Sequence, residues 1–316
     1  MTLSLFDTHC DTAFELYRRQ EQLWENTCHI SLAHATRYEA YVQLFAIWSD
    51  RRLDDQTCWE DFLKIANHFD GLIEQEHNRI ARVRTKDALE SALLDSKRAA
   101  ILAVEDARLL AGNMERLRVL YDMGVRCMTL LWGGESCIGG SHNTDVGLTE
   151  FGKQVTHGCF ELGIIPDISH ASEQSVDDVI EIAQQYNKPF IATHSNSYSA
   201  YSHSRNLRDR HLVELMRLGG VVGVSMCPAH LRDCSQQNAT VADVVRHIDC
   251  YMELGAQDHL CFGCDFDGTN LPDGIANVGD LEKIADFLSA HGYTDTQIEK
   301  IFWKNAYAFF KKQLSK

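Results

Sequence analysis

The sequence predicts an α/β fold of the (β/α)8 TIM-barrel type, on three observations. Eight short apolar runs rich in β-branched and aromatic residues recur along the 316 residues. The segments between them mostly carry apolar residues at helical spacing. No low-complexity linker breaks the alternation, and the chain contains only four prolines. Strands that alternate with helices pair in parallel with the helices outside. Eight such units are expected to close a barrel, so residues 1–316 are read as a single barrel domain.

The elements follow in order. The first strand is "LSLFDTH" (3–9) and the second "YVQLFAIW" (41–48), followed by a helix within "WEDFLKIANHFDGLIEQEHNRI" (59–80). The third and fourth strands are "AAILAVE" (99–105) and "VRCMTLLW" (125–132). "GIIPDISH" (163–170) is the fifth, and "SVDDVIEIAQQYN" (175–187) is helical before the sixth, "PFIATH" (189–194). A helix in "RHLVELMRLG" (210–219) is stopped by its glycine, and "GVVGVSMC" (220–227) and "LCFGCDFDG" (260–268) complete the eight. Amphipathic "IEKIFWKNAYAFFKKQL" (298–314) is expected to pack on the barrel as a closing helix. The alternative, a doubly wound sheet, often carries a Gly-rich phosphate turn after its first strand. "FDTHCDTAFELY" has no glycine there, and "WGGESCIGGSHN" (132–143) follows the fourth strand and reads as an active-site loop.

A formal charge of −15 argues against nucleic-acid binding, which leans on lysine and arginine to displace phosphate counterions. No apolar run is long enough to span a bilayer, so no membrane partner is expected. "MTLSLFDTHCDT" turns polar at once, unlike a signal peptide. The eleven cysteines are scattered and odd in number, so reduced thiols and a cytoplasmic location are expected. Cys261 and Cys264 form a C-x-x-C without a second pair, which makes a zinc or redox role a poor reading.

The informative pattern is where metal-ligand residue types fall. His9 and Asp11 close the first run, Glu105 the third, His170 the fifth, His194 the sixth and Asp265 the eighth. In such barrels the C-terminal strand ends form the catalytic face. Taken singly, each residue has a structural explanation as a cap, a turn or a satisfied histidine. Taken together at five strand ends, they favour a metal site. Imidazole mixed with carboxylate suits zinc and other late first-row ions better than calcium or magnesium. Three histidines with two or three carboxylates exceed the needs of one catalytic ion, so two ions are inferred, with Glu105 as the bridging carboxylate. Water shared by two such ions is acidic enough to exist as hydroxide near neutral pH, which suits hydrolysis. Asp265 is then the candidate to move the proton to the leaving group, with Asp267 in "DFDG" as its nearest competitor, although the turn implied by "DG" suggests a structural role for it.

These motifs resemble those of the membrane dipeptidase (renal dipeptidase) family of zinc metallopeptidases, in the amidohydrolase superfamily. "DTHCDT", "AVEDA", "GLTEFGKQV", "GIIPDISHAS", "ATHSNS", "HSRN" and "GCDFDG" occur in the family's order across nearly the whole chain. The resemblance implies two Zn2+ per chain: His9 and Asp11 on one, Glu105 bridging, and His170 and His194 on the other. It implies Asp265 as the catalytic acid/base and Arg205 as the grip on the substrate's terminal carboxylate, a role suited to a guanidinium fork. One departure stands out: the family histidine that helps hold the scissile carbonyl aligns with Trp132, and His142 is the nearby residue able to replace it. The expected activity is hydrolysis of small dipeptides, including those with a D-residue on the carboxyl side, and a homodimer is expected by analogy. The alternatives are action on another amide, a lactone or a phosphoester, and a metal-binding barrel without catalysis.

Overall fold

The computed structural model describes residues 3–314. Its strands are β1 (Leu5–Cys10), β2 (Tyr41–Trp48), β3 (Ile80–Arg82), β4 (Arg98–Glu105), β5 (Val125–Thr129), β6 (Ile165–Asp167), β7 (Val222–Val224) and β8 (Leu260–Phe262). They form one parallel sheet in the order β6-β5-β4-β2-β1-β8-β7, with β3 beside β4. The gap between β6 and β7 is filled by the "PFIATH" segment. Ile191 bridges to Asp167 and Ala192 to Val222, both in parallel. Backbone bonds run to both neighbours, Ile191 N–H to Pro166 O at 3.0 Å and Gly223 N–H to Ala192 O at 2.8 Å. The ring of eight positions therefore closes, although the sixth makes only isolated bridges.

β3 is the one strand the sequence did not signal. It is only three residues long, Ile-Ala-Arg, and it occupies the early part of β4 (Arg98–Ala100) before β5 joins at Leu102. The helix expected over 59–80 runs instead from Asp55 to Gln75, capped by Asp54, whose carboxylate accepts from Thr57 N–H. β1, β2 and β4 end within a residue of their apolar runs, whereas β5, β6, β7 and β8 end sooner, because the chain there leaves the sheet to form site loops.

Two layers of core surround the sheet. Phe6, Val42, Leu44, Ala99, Ile101, Cys127 and Ile191 fill the barrel. Leu5, Cys10, Phe45, Leu102, Met128 and Val222 face outward against the helices, for example Phe45 against Phe69 at 4.7 Å between ring centroids. The terminal helix, Asn305–Gln313, plugs the N-terminal mouth, where Phe310 stacks on Phe6 at 5.0 Å. Cys261 and Cys264 belong to these two different layers, and both thiols are pushed up by burial. That disposes of them as a paired ligand. No helix among the described residues is long and apolar enough to cross a membrane.

Candidate active site

The mouth at the C-terminal ends of the strands gathers the residues that the sequence placed at separate strand ends. Simple alternation in β1 would send His9 outward, since Phe6 faces the barrel interior. The pairing with β2 slips between Asp7↔Gln43 and Cys10↔Phe45, and such a bulge reverses the alternation. His9 then faces inward, and the buried Asp7 holds the irregularity by accepting from the backbone N–H of His9 (3.4 Å) and of Cys264 (2.8 Å). Asp11 lies just beyond the strand, where it precedes the helix Thr12–Arg19.

Glu105 sits at the centre. Its Oε2 is 3.6 Å from His9 Nε2, while its Oε1 is 3.1 Å from His170 Nε2 and 3.5 Å from His194 Nε2. His9 Nε2 is also 3.9 Å from both Asp11 Oδ2 and Asp265 Oδ1. The two oxygens of one carboxylate thus face two different groups of side chains.

These residues fit a metal centre on their own chemistry. His9 Nε2 and Asp11 Oδ1 are buried with no hydrogen-bond partner, which is costly for a group with nothing to bind. His170 Nε2 and His194 Nε2 lie only 2.9 Å apart. The other ring nitrogens are fixed: His170 Nδ1 meets Trp132 O at 3.0 Å, and Thr193 Oγ1 stands 2.8 Å from His194 Nδ1 and 3.5 Å from His9 Nδ1. Thr193 donates its own hydrogen to Asp167 Oδ2 at 2.5 Å, leaving its lone pairs for the two imidazoles. Asp167 is in turn held by Thr129 Oγ1 (2.5 Å) and by the N–H groups of Ser169 and Thr193. Partners of this kind set the tautomer and direction of ligating histidines.

Electrostatics agree with the geometry. Burial pushes Glu105 up to about 8 and Asp265 up to about 7, and Asp11 is raised by burial and by Glu105. Burial holds His170 and His194 well below the usual imidazole range. Three crowded carboxyls that resist ionisation beside neutral imidazoles form a site that a bound cation would satisfy. His170 and Asp265 both have positive φ, 68° and 62°, a costly conformation for non-glycine residues that concentrates at functional sites.

The remaining expected residues line one cleft of about 520 Å³, together with Phe14, Trp48, Arg51, Cys227 and His230. Arg205 is buried, donates to His194 O (3.1 Å) and Ser195 Oγ (3.3 Å), and has an unpartnered Nε. Trp132 packs on Trp48 at 5.1 Å and lies 5.9 Å from the His170 ring. His142 is anchored through its N–H to His170 O at 2.7 Å and through Nδ1 to Ser204 Oγ at 3.1 Å, and burial lowers its pKa to about 4. Asp267 is a structural group, accepting from Thr12 Oγ1 (2.5 Å) and His29 N–H (2.6 Å).

Sequence reasoning missed Asp7, Asp167 and Thr193, and it missed Gly268. A Cβ at Gly268 would lie 2.1 Å from Asp11 Oδ2 and 2.4 Å from Asp265 Oδ1, so only glycine leaves both carboxylates in place. The available signals were an acid inside the apolar run "GIIPDISH" and the glycine that ends "DFDG".

Comparisons with known proteins place this site in a family. A family model described as membrane dipeptidase (peptidase family M19) matches residues 1–315. An uncharacterized protein of the pqqA 5' region of Klebsiella pneumoniae is 30% identical over 244 residues, 74% of this chain and 89% of that protein. An uncharacterized dipeptidase of Schizosaccharomyces pombe (strain 972) is 29% identical over 236 residues, 72% of this chain but only 56% of the yeast protein. Among solved structures, dipeptidase AC, a metallopeptidase of family M19, superposes with a TM-score of 0.92 at 26% identity over 100% of both chains. A metallopeptidase from Rhodobacter sphaeroides, liganded with a phosphinate mimic of the dipeptide L-Ala-D-Ala, gives a TM-score of 0.91 at 26% identity, covering 99% of this chain and 100% of that one. With a match along the whole barrel and a ligand cluster at its mouth, the chain belongs to the membrane dipeptidase family, peptidase family M19, and is a metal-dependent dipeptidase.

Proposed function

We propose that the chain is a di-zinc dipeptidase acting on small dipeptides with a free carboxyl terminus, including L-Xaa-D-Xaa. The observation that carries the two-ion reading is Glu105, whose Oε2 faces His9 while its Oε1 faces His170 and His194. His9 and Asp11 would hold one ion, His170 and His194 the other, and Glu105 both. Two bound zinc ions, or other late divalent metals, supply an activated water and Lewis-acid stabilisation of the developing oxyanion.

The chain's own residues do the rest. Arg205 carries an unpartnered Nε in the cleft, and its guanidinium binds the substrate's terminal carboxylate. Asp265, with a pKa near neutrality before any cation binds, takes the proton of the attacking water and delivers it to the leaving amine. Trp132 supplies an apolar wall that excludes water. His142 stands beside His170 as a neutral imidazole and donates to the scissile carbonyl in place of the family histidine. Inclusion of L,D dipeptides is supported by the L-Ala-D-Ala mimic bound to the Rhodobacter relative. A cytoplasmic location belongs to the same proposal, supported by eleven free thiols.

The test is release of free amino acids from L,L and L,D dipeptides by zinc-loaded protein, with C-terminally amidated copies as controls. Cleavage of the free dipeptides but not the amides supports the reading. Equal cleavage of both would remove the carboxylate grip, and cleavage of neither would redirect the search to other amides, lactones and phosphoesters.

A further inference from the structure

The side of the cleft opposite Arg205 carries a cation that the mechanism above does not use. The sheet order, closed by the segment at residues 191–192, makes a ring of eight positions. Arg205 follows the sixth position and Trp48 ends β2, four positions away around the ring. A dipeptide whose carboxylate is held by Arg205 and whose scissile bond lies at Glu105 must therefore point its amino-terminal residue toward the β2 side.

That side is an aromatic wall with a charged lip. Phe14 meets Trp48 edge-on at 5.6 Å, and Trp48 packs on Trp132 at 5.1 Å. Arg51, three residues beyond Trp48, is exposed and lines the same cleft. The carboxylates near it are already paired with other arginines: Asp50 with Arg52, and Asp55 and Asp106 with Arg108. Its guanidinium lies over the glycine pair of "WGGES". A Cβ on Gly133 would lie 2.9 Å from Nη1, and one on Gly134 would lie 2.7 Å from Nη2. The loop thus leaves room for this arginine at the rim. The cleft's other acids do not answer it, since Glu15 is bound by Arg18 and Arg19, and Asp267 by Thr12 and His29.

We propose that this rim is a subsite for an acidic side chain on the amino-terminal residue of the dipeptide, glutamate or aspartate, whose methylenes lie on the Trp48 and Trp132 faces while its carboxylate pairs with Arg51. The inference rests on the dipeptidase reading and on Arg205 as the carboxylate grip. A partly exposed ion pair is worth roughly a fivefold preference and weakens with salt.

The test compares kcat/KM for L-Glu-L-Ala with that for L-Gln-L-Ala, which differ by a charge at nearly constant shape, with L-Ala-L-Ala as a reference. The wild type should favour Glu over Gln by about fivefold at low salt. Arg51→Met should bring that ratio close to one, and Arg51→Glu should invert it. A ratio that Arg51→Met and Arg51→Glu leave unaltered would overturn the subsite while the dipeptidase reading stands. Failure to cleave any of the three or their L,D counterparts, L-Ala-D-Ala included, would overturn that reading and the subsite with it.

Discussion

At the scale of single residues, the site depends on groups that never touch substrate. Thr193 offers one hydroxyl to two histidines that face opposite oxygens of Glu105. Thr193→Val keeps the shape but leaves both Nδ1 groups unanswered. It should weaken zinc binding at both positions by about 10- to 100-fold, with Thr193→Ser restoring most of it. Chelator competition checks this, and unchanged affinity would show that Thr193 is only packing. Asp265 calls for the opposite outcome. Asp265→Asn keeps an oxygen near His9, so metal content should survive while turnover falls by about 10²-fold or more. Loss of an ion in that variant, read by elemental analysis, would make Asp265 chiefly a ligand. The five ligand candidates were legible because imidazoles and carboxylates at strand ends are conspicuous. Asp7, Asp167 and Thr193 were not, because their importance lies in contacts across the barrel that sequence spacing does not display.

At the scale of elements, the apolar runs marked the ends of β1, β2 and β4 to within a residue but overran those of β5 to β8. β6, β7 and β8 are three residues each, while their runs are about eight. The surplus residues carry His170, Cys227 and Asp265 into the mouth, where backbone bonds go to loops instead of the ladder. The bulge in β1 was illegible for a related reason. It depends on the Asp7 carboxylate reaching Cys264, a residue 257 positions away. The closing helix, in contrast, was read correctly from its amphipathic pattern, and its packing makes a prediction. Phe310 is fully buried and stacks on Phe6 at the floor of the barrel. Phe310→Ala should cost about 3–5 kcal/mol of stability while leaving the metal content of the folded protein intact. A denaturant titration checks the first part, and a loss below about 1 kcal/mol would mean that the floor is not packed as described.

At the scale of the whole molecule, the barrel holds together a buried acidic cluster that favours protonation until a cation arrives. Burial raises Glu105 to about 8 and Asp265 to about 7. A raised carboxyl pKa contributes stability that is fully present below the unfolded value and lost as pH rises through the folded one. Across roughly pH 4 to 8 the metal-free fold should therefore lose stability relative to its unfolded chain. Bound zinc favours the ionised carboxylates and removes that penalty. The gain in Tm on adding zinc to chelated protein should then be greater at pH 8 than at pH 5 by at least about 4 °C. A gain independent of pH would contradict this linkage.

Stepwise reconstitution distinguishes a two-ion centre divided by Glu105 from a single-ion site. Chelated protein would be titrated with zinc while bound metal and dipeptide hydrolysis are followed together. Two equivalents should bind per chain, and hydrolysis should rise mainly with the second. Full activity at one equivalent, or saturation of binding at one, would contradict the two-ion centre.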